Sequence, residues 1–323
     1  MPTAFITGVN SFLGATLARR ILAHGWQVRG LLRSHSNDIL LRDLTDLTRV
    51  VGDLMTPETW RDALAGCDAL FHVAASFTHD LAQIHQMEQV NIEGTRLVLN
   101  AALDAGVARI VHTSTIGTMG QPEDGSLATE ETPFNLPNPS AYVLSKLAGE
   151  QIALDLARQG APIVVVHPPA MLGPGDWRPS ASGRVVLAYL HGRPLRYIPG
   201  GVNWTPVQDV AEGMILALEK GRPGRRYILG HMQGNLDEGA FIALMARASG
   251  QPGPGPQSGG WKQRLRSLLG RATPAPASGS FPARLTCDPS RAVRELGMPQ
   301  SDLLDAARQE VAWYREMGMA PSL

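Results

Sequence analysis

Cysteine is nearly absent from the 323-residue sequence: Cys67 and Cys287 are the only two, and they lie far apart. That excludes a disulfide framework and a Cys-rich zinc site, and leaves two ordinary thiols of a reducing compartment. Excess charge of one sign is also missing, since 29 Lys and Arg balance 29 Asp and Glu. No global field therefore draws the chain to nucleic acid or to an acidic membrane. No uninterrupted apolar run approaches the roughly 20 residues that span a bilayer. The opening Pro2–Gly8 shows no basic leader, apolar core and small-residue cleavage site. These absences predict a cytoplasmic protein with neither membrane nor nucleic-acid partner and no metal. No internal repeat is visible. What is present is 44% hydrophobic and 18% charged residues, the balance of a folded chain with material for a large core.

The order of apolar segments defines the architecture. Thr3–Thr7 reads as a strand, Gly8–Ser11 as a tight turn and Phe12–His24 as a helix closed by Gly25, after which Gln27–Leu32 completes a βαβ unit. Further strands are expected at Leu47–Val51, Ala69–Val73, Arg109–Thr113 and Ile163–His167, with helices at Pro57–Ala65, Leu81–Ala105 and Ala141–Gln159. Such alternation predicts an α/β fold, a Rossmann-type doubly wound parallel sheet. Beyond His167 Pro and Gly cluster, so residues 1–168 are expected to form the dinucleotide-binding domain and 169–323 mainly a smaller C-terminal substrate-binding lobe. Within the latter, 206–230, a helix at Pro206–Lys220 and a strand at Arg226–Leu229, are candidates to rejoin the first domain. Flexible loops are expected near 251–260 and 273–283 around a short basic helix at Trp261–Leu269. Leu303, Leu304, Ala307, Val311 and Tyr314 can share one face of a terminal helix.

In such a sheet, ligands bind at the carboxyl ends of the strands, where the first loop is Gly8-Val9-Asn10-Ser11-Phe12-Leu13-Gly14. A pyrophosphate needs close backbone approach and a helix N-terminus, which makes Gly8, Asn10, Ser11, Phe12, Leu13 and Gly14 candidate cofactor residues. Ser11 stands where a glycine is usual. The second strand ends at Arg33 without the acid that grips an NAD ribose, so NADP(H) is favoured, with Arg33 on its 2′-phosphate, and NAD(H) is the other candidate. Asp53 and Leu54, after the third strand, can bracket the adenine.

Tyr142 and Lys146, four residues apart, share a helix face, and the ammonium is expected to lower the phenol's pKa. Thr113-Ser114-Thr115 ends a strand at the same sheet edge, and Thr115 can polarise a carbonyl. His72, His112 and His167 lie in strands without a metal-ligand pattern and read as core or strand-end residues.

The ordered set Thr7-Gly8-x-x-Ser11-x-x-Gly14, Gly52-Asp53-Leu54, His72-Val73-Ala74-Ala75, Asn91-x-x-Gly94-Thr95, Thr113-Ser114-Thr115 and Tyr142-x-x-x-Lys146 resembles the extended short-chain dehydrogenases/reductases. Within them the chain looks most like the dihydroflavonol-4-reductase-like and hopanoid-associated sugar epimerase groups, including Gly173-Pro174 and Asp288-x-x-x-Ala292-x-x-Glu295-Leu296-Gly297. The resemblance implies Thr115, Tyr142, Lys146 and Asn91 as catalytic residues. It implies Val73, Ala74, Ala75, Thr113, Pro168 and Pro169 against the cofactor. Phe77, Met119, Met171, Trp177 and Trp204 would form an apolar substrate wall, with Asn203 and Thr205 for polar contacts. The implied activity is reduction of a ketone or aldehyde to an alcohol, the substrate being a small-molecule carbonyl or alcohol. The alternatives are an NAD-dependent nucleotide-sugar epimerase or dehydratase, and a dinucleotide binder without catalysis. The long helices offer a homodimer interface, as in many relatives.

Overall fold

A computed structural model describes residues 1–78, 80–253 and 283–321. The helix expected at 261–269 and most of the loops expected near 251–260 and 273–283 lie outside these residues. In chain order the elements are β1 (Thr3–Thr7), α1 (Phe12–Ala23), β2 (Gln27–Leu32), β3 (Leu47–Val51), β4 (Ala69–His72), α2 (Ile84–Asp104), β5 (Arg109–Thr113), α3 (Ala141–Arg158) and β6 (Ile163–His167). They continue with β7 (Ala170–Leu172), α4 (Ala181–Leu190), β8 (Val202–Pro206), α5 (Val207–Lys220), β9 (Arg226–Ile228), β10 (Asn235–Leu236), α6 (Glu238–Ser249) and α7 (Leu303–Glu316).

Seven strands form one parallel sheet in the order β3-β2-β1-β4-β5-β6-β9. This is the expected doubly wound Rossmann-type fold. Strand periodicity divides the side chains between two cores. Ala4, Ile6, Val164 and Val166 face α1 and α5, whereas Phe5, Ile163 and Val165 face α2 and α3. The central strands β1 and β6 are buried throughout because helices cover both faces, and the edge strand β3 is largely exposed. A second sheet, β10-β8-β7, packs its core of Leu172, Trp204, Phe241, Val311 and Tyr314 against α4, α6 and α7.

Local chemistry explains the departures from expectation. Pro57–Ala65 forms two short 3-10 turns, not a helix, because buried Trp60 breaks the run at φ −143° and donates its indole N–H to the Asp53 carbonyl at 2.8 Å. Strand β4 stops one residue early because the Val73 N–H donates to the Thr7 hydroxyl at 3.1 Å. The elements β7, β8, β10, α4 and α6 lie in the stretch that sequence left irregular. Cys67 and Cys287 are free and buried. Among the described residues no helix is long and apolar enough to cross a membrane.

Helices α2 and α3 cross closely because Gly149 has no side chain. A Cβ there would lie 2.7 Å from the Asn91 carbonyl oxygen and 3.3 Å from Thr95 Oγ1. This approach brings Asn91 against α3, where its side chain donates to Ser145. Gly149→Ala forces the helices apart and should destabilise the fold by about 1–3 kcal/mol, read as a lower urea midpoint. An unchanged midpoint would show that the crossing is not tight.

Candidate functional site

The site is built around the turn after β1. Gly8 has φ +68°, and a Cβ would sit 2.8 Å from Ala74 Cα, so side chains are excluded on both conformational and steric grounds. At Gly14 a Cβ would meet the Gly8 carbonyl oxygen at 2.2 Å. Ser11, in place of the usual glycine, has extended backbone at φ −84° and caps α1, its Oγ accepting from the Gly14 N–H at 3.0 Å. Its own N–H is taken by the Gly8 carbonyl at 3.0 Å, so the anion-binding donors at this terminus are the N–H groups of Phe12 and Leu13, which have no acceptor within the helix. Asn10 does not point to a phosphate; its side-chain amide donates to the Asn37 carbonyl at 3.1 Å and ties the turn to the β2–β3 connection. This cradle fits a dinucleotide pyrophosphate.

Beyond it a cleft of about 570 Å³ opens between Arg33 and Asp53. Asp53 is partly engaged, with Oδ1 accepting from the Met55 N–H at 2.9 Å. Leu54 packs toward α2, beside Gly94. Val73 rests on the α1–α5 core, Ala75 is exposed, and Pro168 and Pro169 are buried behind the strand ends.

A chain of hydrogen bonds leads from the cradle to the reactive helix. The Val73 and Ala74 N–H groups donate to Thr7 Oγ1 at 3.1 and 3.2 Å, so the Thr7 hydroxyl donates to His72 Nδ1 at 2.8 Å. His72 is thereby fixed as the Nε2–H tautomer and donates to Thr95 Oγ1 at 3.1 Å, which donates to the Asn91 carbonyl at 2.7 Å. The Asn91 amide donates to the Ser76 carbonyl and to Ser145 Oγ, both at 2.9 Å, and accepts from the Ser76 N–H at 2.7 Å. Ser145 then donates to the Tyr142 carbonyl at 2.8 Å. Asn91 thus acts through the backbone that carries Tyr142.

Helix α3, capped by Ser140, presents Tyr142 and Lys146 on one face. Lys146 Nζ donates to the Thr113 carbonyl at 2.8 Å, and burial pulls its pKa down to about 8. Tyr142 corrects the expectation from sequence: burial pushes its pKa up to about 12, so the phenol keeps its proton at neutral pH. Removal from water outweighs the neighbouring ammonium. Thr115 is half-buried, and its Oγ1 accepts from the Gly117 N–H at 3.3 Å, which leaves the hydroxyl proton for a ligand.

Sequence reasoning missed Glu150, although it continues the four-residue spacing Tyr142, Lys146, Glu150. Its buried carboxylate accepts from the Ser114 and Thr118 hydroxyls, both at 2.7 Å, and lies 3.0 Å from His167 Nε2. Burial raises its pKa, but His167 and the two hydroxyls prevail and hold it down at about 2. The negative charge one turn below Lys146 favours the ammonium.

Not all expected substrate residues meet here. The Phe77 ring lies edge-on to Tyr142, with centroids 4.9 Å apart, and the Arg184 guanidinium sits over Phe77 at 5.8 Å. Met171 and Trp177 pack instead on the core shared with Phe12 and Leu40, toward the cofactor cleft. Met119 is buried with Ile116 and Cys287. Trp204 and Asn203 do not form a substrate wall. Trp204 is sealed in the second core between Tyr197 and Phe241, and the fully buried Asn203 donates to the His231 carbonyl at 2.9 Å and to Asn235 Oδ1 at 2.8 Å. Thr205 is buried beside them, its hydroxyl donating to Asn203 Oδ1 at 3.0 Å.

The fold and this cluster define an extended short-chain dehydrogenase/reductase, a class of NAD(P)-dependent enzymes. The model of the NAD dependent epimerase/dehydratase family matches residues 4–230, and the chain belongs to that family. It is 35% identical to "Putative dihydroflavonol 4-reductase" of Synechocystis sp., over 97% of this chain and 95% of that protein. It is 32% identical to sterol demethylase protein B of Methylococcus capsulatus, over 98% and 99%. Among solved structures, that of gox2253 aligns with a TM-score of 0.85 and 31% identity, covering 99% of this chain and 100% of the other.

Burial, with the Lys146 ammonium second, pulls the pKa of His72 from 6.5 to about 3. The unfolded chain therefore binds a proton that the folded chain refuses between these values, and stability falls as pH drops through that window. At pH 5, ¹⁵N NMR should find His72 neutral and protonated on Nε2. A charged ring at that pH would contradict the hydrogen-bond chain.

Proposed function

We propose that the protein is an NADP(H)-dependent reductase that converts a ketone or aldehyde to an alcohol. The observation that carries this reading is the Tyr142 phenol on one helix face with the Lys146 ammonium, which is tied to the end of β5, together with the Thr115 hydroxyl just after that strand and the glycine cradle after β1. The bound dinucleotide would supply hydride. Tyr142 would donate its proton to the carbonyl oxygen, and Thr115, whose hydroxyl proton is uncommitted, would hold that oxygen in place. Lys146 would grip the cofactor ribose and support the phenolate once the proton has left. Phe77 would wall the reacting carbon from water. A small-molecule carbonyl or alcohol is the substrate this set accepts.

The reductase reading is preferred to the epimerase one on two grounds. Arg33 directly follows β2, where an NAD-selective site carries an acid, and the Synechocystis relative bears a reductase name. We further propose residues 1–168 with 206–230 as the cofactor-binding part.

Reduction is followed by NADPH consumption with a panel of aldehydes and ketones. Tyr142→Phe should lower kcat by about 100- to 10,000-fold with little change in NADPH affinity. Turnover by the native protein should decline above about pH 8, where Lys146 gives up its proton. Tightly retained NAD with no consumption of added NADPH would favour the epimerase instead, and an active Tyr142→Phe would remove the acid role.

A further inference from the structure

The cleft beside Arg33 has a wall that the cofactor domain does not supply. Arg178, from the connection between β7 and α4, lines the same cavity of about 570 Å³ as Arg33, Ser34 and Ser36. We propose that Arg178 is a second arm for the cofactor's 2′-phosphate, closing on it opposite Arg33, so that a segment outside the nucleotide-binding unit reads which dinucleotide is bound. This rests on the NADP(H) reading above.

The charges argue for an absent anion. Among the described residues neither the Arg33 nor the Arg178 guanidinium has a hydrogen-bond or ion-pair partner. Arg19, Arg29 and Arg49, by contrast, are matched: Arg19 to Asp43 at 2.7 Å, Arg29 to the carbonyls of Ala63 and Ala65 at 2.8 Å, and Arg49 to the Leu41 carbonyl at 2.9 Å. Among the described residues Asp53 is the one acid lining the cleft, and it already accepts from the Met55 N–H. A phosphate monoester carries nearly two negative charges at neutral pH, which two planar guanidinium forks can match, and the Ser34 hydroxyl adds a neutral donor, while Ser36 is held by the Arg33 carbonyl at 2.6 Å.

The stem that carries Arg178 is fixed on both sides. Gly175 lies against Phe12 and Leu40, where a Cβ would be 3.6 and 3.8 Å from their side chains, and Trp177 packs on the same core. Asp176 is buried and accepts from the Ser180 N–H at 2.9 Å, from its Oγ at 2.7 Å and from the Tyr314 hydroxyl at 3.3 Å. Only the exposed arginine side chain remains to be ordered by a ligand, so little backbone entropy is lost on binding.

The test is to titrate the wild-type protein, Arg178→Ala and Arg33→Ala with NADPH, NADH and 2′,5′-ADP, following tryptophan fluorescence. Arg178→Ala should weaken NADPH and 2′,5′-ADP about tenfold or more while leaving NADH within about twofold, and Arg33→Ala should do the same. Unchanged thermal unfolding without ligand confirms that Arg178→Ala is folded. If the wild type prefers NADPH and Arg178→Ala keeps the same NADPH-to-NADH ratio, the Arg178 proposal is overturned and the cofactor reading stands. If the wild type binds NADH more tightly than NADPH, the cofactor reading fails, and this proposal with it.

Discussion

The fully buried hydroxyl of Thr7 joins the two halves of the site. It closes the ends of β1 and β4 together by accepting from two successive N–H groups, those of Val73 and Ala74. The same closure brings Ala74 so near the turn that only glycine fits at position 8. By donating onward to His72, Thr7 fixes a tautomer, so that His72 donates to Thr95 and Thr95 to the backbone carbonyl of Asn91, whose side chain, oriented by Ser76, carries the contact on to α3. A hydrogen-bond chain in a dry interior has few alternatives, because reversing one member leaves a buried donor or acceptor unpaired. The glycine cradle and α3 are consequently one polar unit rather than two adjacent sites.

The same dryness sets the protonation states. Burial keeps His72 neutral and Tyr142 protonated and makes Lys146 a weaker base than free lysine, while Glu150, with His167 and two hydroxyls around it, remains ionised. The positive charge of Lys146 is restrained by Glu150 one helical turn away.

Much of this was legible in the chain. The βαβ alternation gave the sheet, and Gly8, Gly14, Tyr142 and Lys146 could be picked out because turn chemistry and helical spacing are local properties, whereas Asn91 was marked only by the family resemblance. The role of Ser11 was not legible, since a missing glycine looks like a defect until its hydroxyl is found capping α1. Glu150 shared the spacing of its neighbours but had no apparent partner, because Ser114, Thr118 and His167 reach it from other elements. The direction of the Tyr142 shift was misjudged because sequence shows a neighbouring charge but not the loss of water. The resemblance alone put Asn203 and Trp204 at the substrate, and the packing of β8 against Phe241 and Asn235 that seals them away is non-local. Arg178 approaches Arg33 only through the fold.

The coupling of cradle and helix is tested most directly by Thr7→Val, which keeps the shape and removes the hydroxyl. NADPH binding should weaken about tenfold or more and carbonyl reduction slow with it, in a protein whose near-ultraviolet circular dichroism is unchanged. A folded Thr7→Val protein with both quantities within about twofold of wild type would contradict that coupling.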